Sequence, residues 1–95
     1  MGGWGAVYDF LDDVEKACAA EMMKNKIPAP DVVGYELEGN RNGAVIGEAS
    51  MAWTKEKVVL LLPGQEAYSE VFQHEGWKVL LAAEKLTRDK FGGEG

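Results

Sequence analysis

Cysteine and histidine are nearly absent from this chain, each occurring once, as Cys18 and His74. A lone cysteine excludes an internal disulfide, and with one histidine it leaves too few soft ligands for a zinc cluster. Long hydrophobic runs are missing as well. The longest aliphatic stretch, Val58–Leu62, falls far below the ~20 residues that a bilayer-crossing helix needs. No basic segment leads into an apolar one at the start, so no secretory signal is read and cytoplasmic residence is expected. Basic charge is scarce: 16 Asp and Glu stand against 10 Lys and Arg, a net charge of −6. Phosphate backbones repel such a surface at long range, so nucleic acid is only a weakly expected partner. No membrane partner is expected.

What is present suits one globular domain spanning residues 1–95. A chain of 95 residues buries roughly two-thirds of its unfolded surface, enough for a modest core. The apolar share of 46% and charged share of 27% are ordinary for a folded protein, so disorder is expected only at the glycine-rich ends, residues 1–4 and 92–95.

Periodicity supplies the elements. Val7, Phe10, Leu11, Val14, Ala17, Cys18 and Met22 recur at three- and four-residue steps, which predicts one helix over Gly5–Lys26. Its acids crowd the first half and Lys24 and Lys26 the end, as the helix dipole favours. Pro28 and Pro30 are expected to stop it. Val33, Tyr35 and Leu37 alternate with Gly34, Glu36 and Glu38, a half-buried strand over Val32–Glu38. Gly39–Gly43 reads as a turn, and Ala44–Trp53 as a second strand with Val45, Ala49, Met51 and Trp53 on one face. After the polar turn Thr54–Lys57, Val58–Leu62 is apolar on both faces, as a central covered strand would be. Gln65–Glu75 reads as a short helix carrying Tyr68, Val71 and Phe72 inward, with Gly76 at its C-terminus. Trp77–Leu81 is a fourth strand and Glu84–Phe91 a closing helix. The order is αβββαβα, an α/β (α+β) domain with a mixed four-stranded sheet. The first three strands form an antiparallel meander because their connections are too short to cross over. The last two are parallel, with a right-handed crossover.

No complete catalytic set can be read. His74 falls off the apolar stripe of its helix and is expected on the surface, while Cys18 sits on a stripe and is expected to be buried and inert. Trp53 and Trp77 are expected to supply core area rather than base stacking, and Met22 and Met23 helix packing. The acids Asp9, Asp12, Asp13 and Glu15 read as a solvated helix face. Glycine occurs 12 times but forms no phosphate loop. One constellation has chemical content. Glu36 and Glu38 share a face, Glu48 and Ser50 share one on the hairpin partner, and Lys55 and Lys57 follow. Carboxylates meeting across a hairpin beside a lysine can hold Mg²⁺ or Mn²⁺ and an activated water for phosphodiester cleavage. That arrangement would make Glu36, Glu48 and Lys57 a nuclease centre, with Glu36 and Glu48 on the metal. The simpler reading is a solvated outer face of the meander, with no cofactor.

The segments Lys57–Gln65 (KVVLLLPGQ) and Gly76–Leu80 (GWKVL), separated by a helix, resemble the PD-(D/E)XK restriction-endonuclease-like superfamily, in its very-short-patch-repair branch. Val33–Leu37 (VGYEL) and Glu48–Trp53 (EASMAW) are similar to C-terminal tails of certain bacterial DEAD/DEAH-box helicases. The resemblance covers about residues 32–86. It implies metal-binding acids at positions that hold Pro63, Leu61 and Ser50 in this chain. A scaffold that kept its packing and lost its chemistry is therefore expected, a pseudo-nuclease that docks on a protein partner such as a larger helicase-type ATPase, or on a second copy of itself. The edge strand at Val32, Gly34 and Glu36 and an apolar patch around Trp4 are the expected contact surfaces.

Overall fold

A computed structural model describes residues 3–39, 43–87 and 91. The chain runs through α1 (Trp4–Val7), a 3-10 turn (Tyr8–Phe10), α2 (Asp13–Lys24), β1 (Val32–Glu38), β2 (Val45–Trp53) and β3 (Val58–Leu61). A 3-10 turn (Glu66–Tyr68), α3 (Ser69–His74) and β4 (Lys78–Leu81) follow. The sheet order is β1-β2-β3-β4, with β1/β2 and β2/β3 antiparallel and β3/β4 parallel. The α+β domain and its mixed four-stranded sheet match the sequence-based expectation.

The single long helix predicted over Gly5–Lys26 is instead broken. Leu11 is extended at φ −96° and ψ 145°. Asp12 then caps α2: its carboxylate accepts the Glu15 N–H at 2.8 Å while Glu15 Oε1 accepts the Asp12 N–H at 3.0 Å. This reciprocal capping box satisfies two N-terminal donors and makes Asp12 a start rather than a mid-helix residue. The apolar spacing runs on across the break, which is why periodicity alone misses it. At the other end α2 stops before the prolines. Lys26 turns left-handed at φ 62°, and the Lys26 and Ile27 N–H groups bond the Met23 and Met22 carbonyls at 3.1 and 2.9 Å. That is a Schellman cap built on a lysine.

α3 ends by the same device, here on the glycine that the sequence suggests. Gly76 has φ 91°, its N–H bonds Gln73 O at 3.0 Å, and the Trp77 N–H bonds Phe72 O at 2.9 Å. The Phe72 and Trp77 rings meet edge to face at 5.9 Å, the hydrophobic contact that accompanies the motif.

β3 shows why its sequence is apolar throughout. Val58 and Leu60 pack with Cys18, Ala19, Met22, Met51, Trp53 and Leu80 on the α2 side. Val59 and Leu61 pack with Leu37, Ala49, Ala52, Phe72 and Trp77 on the α3 side. Each strand residue is buried against one helical layer or the other. The alternation on β1 and β2 slips midway. Val33 belongs to the α2 side but Tyr35 to the α3 side, with Gly34 at φ 79° between them. Opposite, Ala49 faces α3 while Met51 and Trp53 face α2. The shared face expected for Val45, Ala49, Met51 and Trp53 is therefore divided, and Val45 is exposed.

The closing helix predicted from Glu84 does not begin there: Glu84–Thr87 is irregular, with Phe91 helical and its N–H on Thr87 O at 3.2 Å. Residues 88–90 lie outside the described residues, as do 40–42 of the first turn and, of the ends expected to be flexible, 1–2 and 92–95. Trp4, placed by sequence in a flexible end, is tied down. Its Nε1–H donates to Ile27 O at 2.9 Å.

Asp31 ties the loop after α2 to the turn after β2. Its carboxylate accepts the Thr54 N–H at 2.8 Å and, through the other oxygen, the Thr54 hydroxyl. Desolvation alone would push its pKa up, but the bonds from Thr54 and its own N–H outweigh that and hold it below the usual 3.8. A depressed folded pKa means stability that is present above pH 3.8 and lost as pH falls through the folded value. Melting temperature followed from mildly acidic pH downward should fall more steeply for the wild type than for Asp31→Asn. Parallel curves would refute the role given to Asp31.

Candidate functional site

The acids singled out on the hairpin do come together. Glu36 and Glu48 are direct partners in the β1/β2 register. With Tyr35 and Leu37 facing α3, Glu36 falls on the α2 side, and Ser50 faces the same way. α2 begins above them. The capping-box residue Glu15 turns its second oxygen onto the hairpin, where Oε2 accepts the Ser50 hydroxyl at 2.6 Å. Ser50 is 4% exposed, so this bond satisfies a hydroxyl that would otherwise be buried without a partner. Sequence places Ser50 on an outer polar face and Glu15 on a solvated helix face. The tertiary fold buries the first and half-buries the second.

The result is a shallow cleft of about 200 Å³ at the N-terminus of α2, with Glu15, Glu36, Glu48, Ser50 and Gln65 among its walls. Gln65 is held there by accepting the Leu62 N–H at 2.9 Å. No lysine or arginine among the described residues lines the cleft. Among the described residues, no group of three or more His, Cys, Asp or Glu is placed to hold a metal ion.

Lys57 is not part of this arrangement. It lies past the far end of β2, which is itself roughly 16 Å from Glu48 at the rise of about 3.3 Å per strand residue. It is left-handed at φ 60°, donates to Glu75 O at 3.0 Å, and stands 5.2 Å over the Trp77 ring. The lysine expected to complete a nuclease triad with Glu36 and Glu48 instead fastens the α3 C-terminus to the β2–β3 turn.

The positions where the resemblance puts metal-binding acids are occupied by Leu61, wholly buried on the α3 side, exposed Pro63, and Ser50, whose hydroxyl is committed to Glu15. Cys18 is buried on the α2 side. Burial, followed by the charges of Glu21, Glu15 and Asp12, pushes its thiol pKa up, which keeps it protonated and unreactive. His74 is exposed. Trp53 and Trp77 are both core residues. Trp53 is 2% exposed and donates to Pro28 O at 2.8 Å, and Trp77 packs on Phe72 and Tyr35.

Two surfaces are expected from the sequence to make contacts, β1 and the patch around Trp4. β1 is an outer strand of the sheet and pairs with β2 alone among the described residues. Gly34 and Glu36 are exposed on it, whereas Val32 is half-buried against the α3-side core. Around α1, an open cleft of about 420 Å³ is lined by Trp4, Tyr8 and Met23, with Phe10 76% exposed nearby in sequence. No helix among the described residues is long and apolar enough to cross a membrane.

Comparison of the chain with protein-family models, characterised proteins and solved structures finds no match.

Proposed function

We propose that the chain is a non-catalytic binding domain, a degenerate restriction-endonuclease-like scaffold that docks on another protein. A larger helicase-type ATPase is the partner class that the sequence resemblance suggests, and a second copy of the chain is the rival. The observation that carries this reading is the set of side chains at the would-be metal positions. Leu61 and Pro63 offer no hard oxygen ligand from their side chains, and Ser50 is already bonded to Glu15. The carboxylates that remain, Glu36 and Glu48, lack the lysine needed beside them, because Lys57 is spent elsewhere.

The outer edge of β1, unpaired among the described residues, supports a docking role. An outer strand presents half of its N–H and C=O groups to whatever chain arrives, and strand addition is a common mode of protein recognition. Its setting in a cytoplasmic complex follows from the same reading.

A supercoiled-plasmid nicking assay in Mn²⁺, with EDTA and a Glu48→Gln control, tests the proposal. The expected result is no cleavage above the EDTA background. Metal-dependent nicking that disappears in Glu48→Gln would establish a migrated nuclease centre and overturn the reading.

A further inference from the structure

We infer that the acidic cleft beside β1 receives a lysine or arginine side chain from an extended segment of the partner, laid along the outer edge of that strand. This rests on the docking reading above and specifies the chemistry of the partner.

The edge and the cleft are one surface. Gly34–Glu36 supplies both the middle of the outer strand and one wall of the cleft. Gly34 leaves the edge open there, since a Cβ built on it meets nothing within 4 Å. In a strand added along β1, every second side chain would face the α2 side, and the one beside Gly34–Glu36 would stand at the mouth of the cleft.

Charge then selects the occupant. Glu36 and Glu48 face each other across the hairpin, and like charges in that position destabilise a sheet. Glu15 adds a third carboxylate, and among the described residues no cation lines the cleft to offset them. An incoming ammonium or guanidinium turns this repulsion into attraction. At about 200 Å³ the cleft is below the roughly 300 Å³ at which small-molecule sites begin, and it suits one long side chain instead. The two other occupants fit poorly. A second copy would bring another chain of net charge −6, with Glu36 and Glu38 on its own edge, and a nucleic acid would bring phosphates.

Calorimetric titration of the full chain with capped peptides of about eight residues, the length of a strand, tests this. The probes are a peptide alternating lysine with threonine, its glutamate–threonine counterpart, and the lysine peptide N-methylated on alternate amides. The lysine peptide should bind with Kd on the order of 10–100 μM, weaken with added salt, and lose affinity when its ladder donors are methylated. The glutamate peptide should not bind. Glu36→Gln combined with Glu48→Gln should weaken lysine-peptide binding at least about tenfold, while a melting temperature at or above the wild type shows the fold intact. Undiminished affinity in that variant, or equal binding of both peptides, overturns the inference. Absence of all peptide binding with a silent plasmid assay overturns the inference alone. Metal-dependent nicking overturns the reading beneath it.

Discussion

Phe72→Ala should lower the free energy of unfolding by about 3–5 kcal/mol, more than any exposed substitution in the chain. Phe72 has no solvent-exposed surface and joins α3 to the sheet. Its ring lies 5.9 Å from Trp77 and 6.4 Å from Tyr35, so three aromatics share one cluster. The sheet has been shaped around it: a Cβ added at Gly47 would come within 3.2 Å of Phe72 Cε2. Truncation removes transfer energy and leaves a cavity whose walls, β2 at Gly47 and the packed side chains of Val59 and Leu61, cannot fully close in. A domain of this size is held by about 5–15 kcal/mol in all, so the variant should sit at the edge of folding. Urea unfolding followed by tryptophan fluorescence provides the measurement. Phe72→Leu, which keeps most of the volume, should recover most of the loss. A deficit below about 1 kcal/mol for Phe72→Ala would show that α3 contributes little to the core.

Much of this layer was legible in the sequence because its signals are local. The two-sided apolar run Val58–Leu61 requires cover on both faces, and Gly76 occupies the left-handed position that ends α3. The short polar turns fixed the antiparallel meander. The errors fall where tertiary contact decides. Apolar spacing through Phe10, Leu11 and Val14 hides the break at Leu11, although Asp12 and Glu15 spell a capping box that could have revealed it. Strict alternation fails at Gly34, whose positive φ resets which face each later residue of β1 occupies. The candidate site was half legible. Alternation brought Glu36 and Glu48 together, but nothing in the spacing shows Glu15 arriving from α2, or Lys57 turning away toward Glu75. Contacts between residues that are 35 and 18 positions apart carry no periodic trace.

Glu15 is where fold and candidate site meet, and Glu15→Ala should cost about 2–4 kcal/mol. Two losses combine. The bond that Glu15 Oε1 accepts from the Asp12 N–H disappears, worth roughly 0.5–1.5 kcal/mol, although Asp12 still caps the backbone N–H of residue 15, and the buried Ser50 hydroxyl is left without its acceptor, worth roughly 1–3 kcal/mol more. Glu15→Gln separates them. Its amide oxygen can still accept the Asp12 N–H and its nitrogen can donate to Ser50, so most of the stability should return while the charge is gone. Ser50→Ala alone removes the hydroxyl together with its need, and should be far milder than Glu15→Ala. The two sites should therefore couple: in a denaturation double-mutant cycle, Glu15→Ala added to Ser50→Ala should cost about 1 kcal/mol less than in the wild type. Additive losses would mean that the 2.6 Å bond contributes nothing to holding α2 on the hairpin. Coupling would place the carboxylate of Glu15 under the control of a residue standing where the resemblance expects a metal-binding acid. The Ser50–Glu15 bond would then be what fastens α2 to the hairpin, with Glu36 and Glu48 on the same side of the sheet beside it.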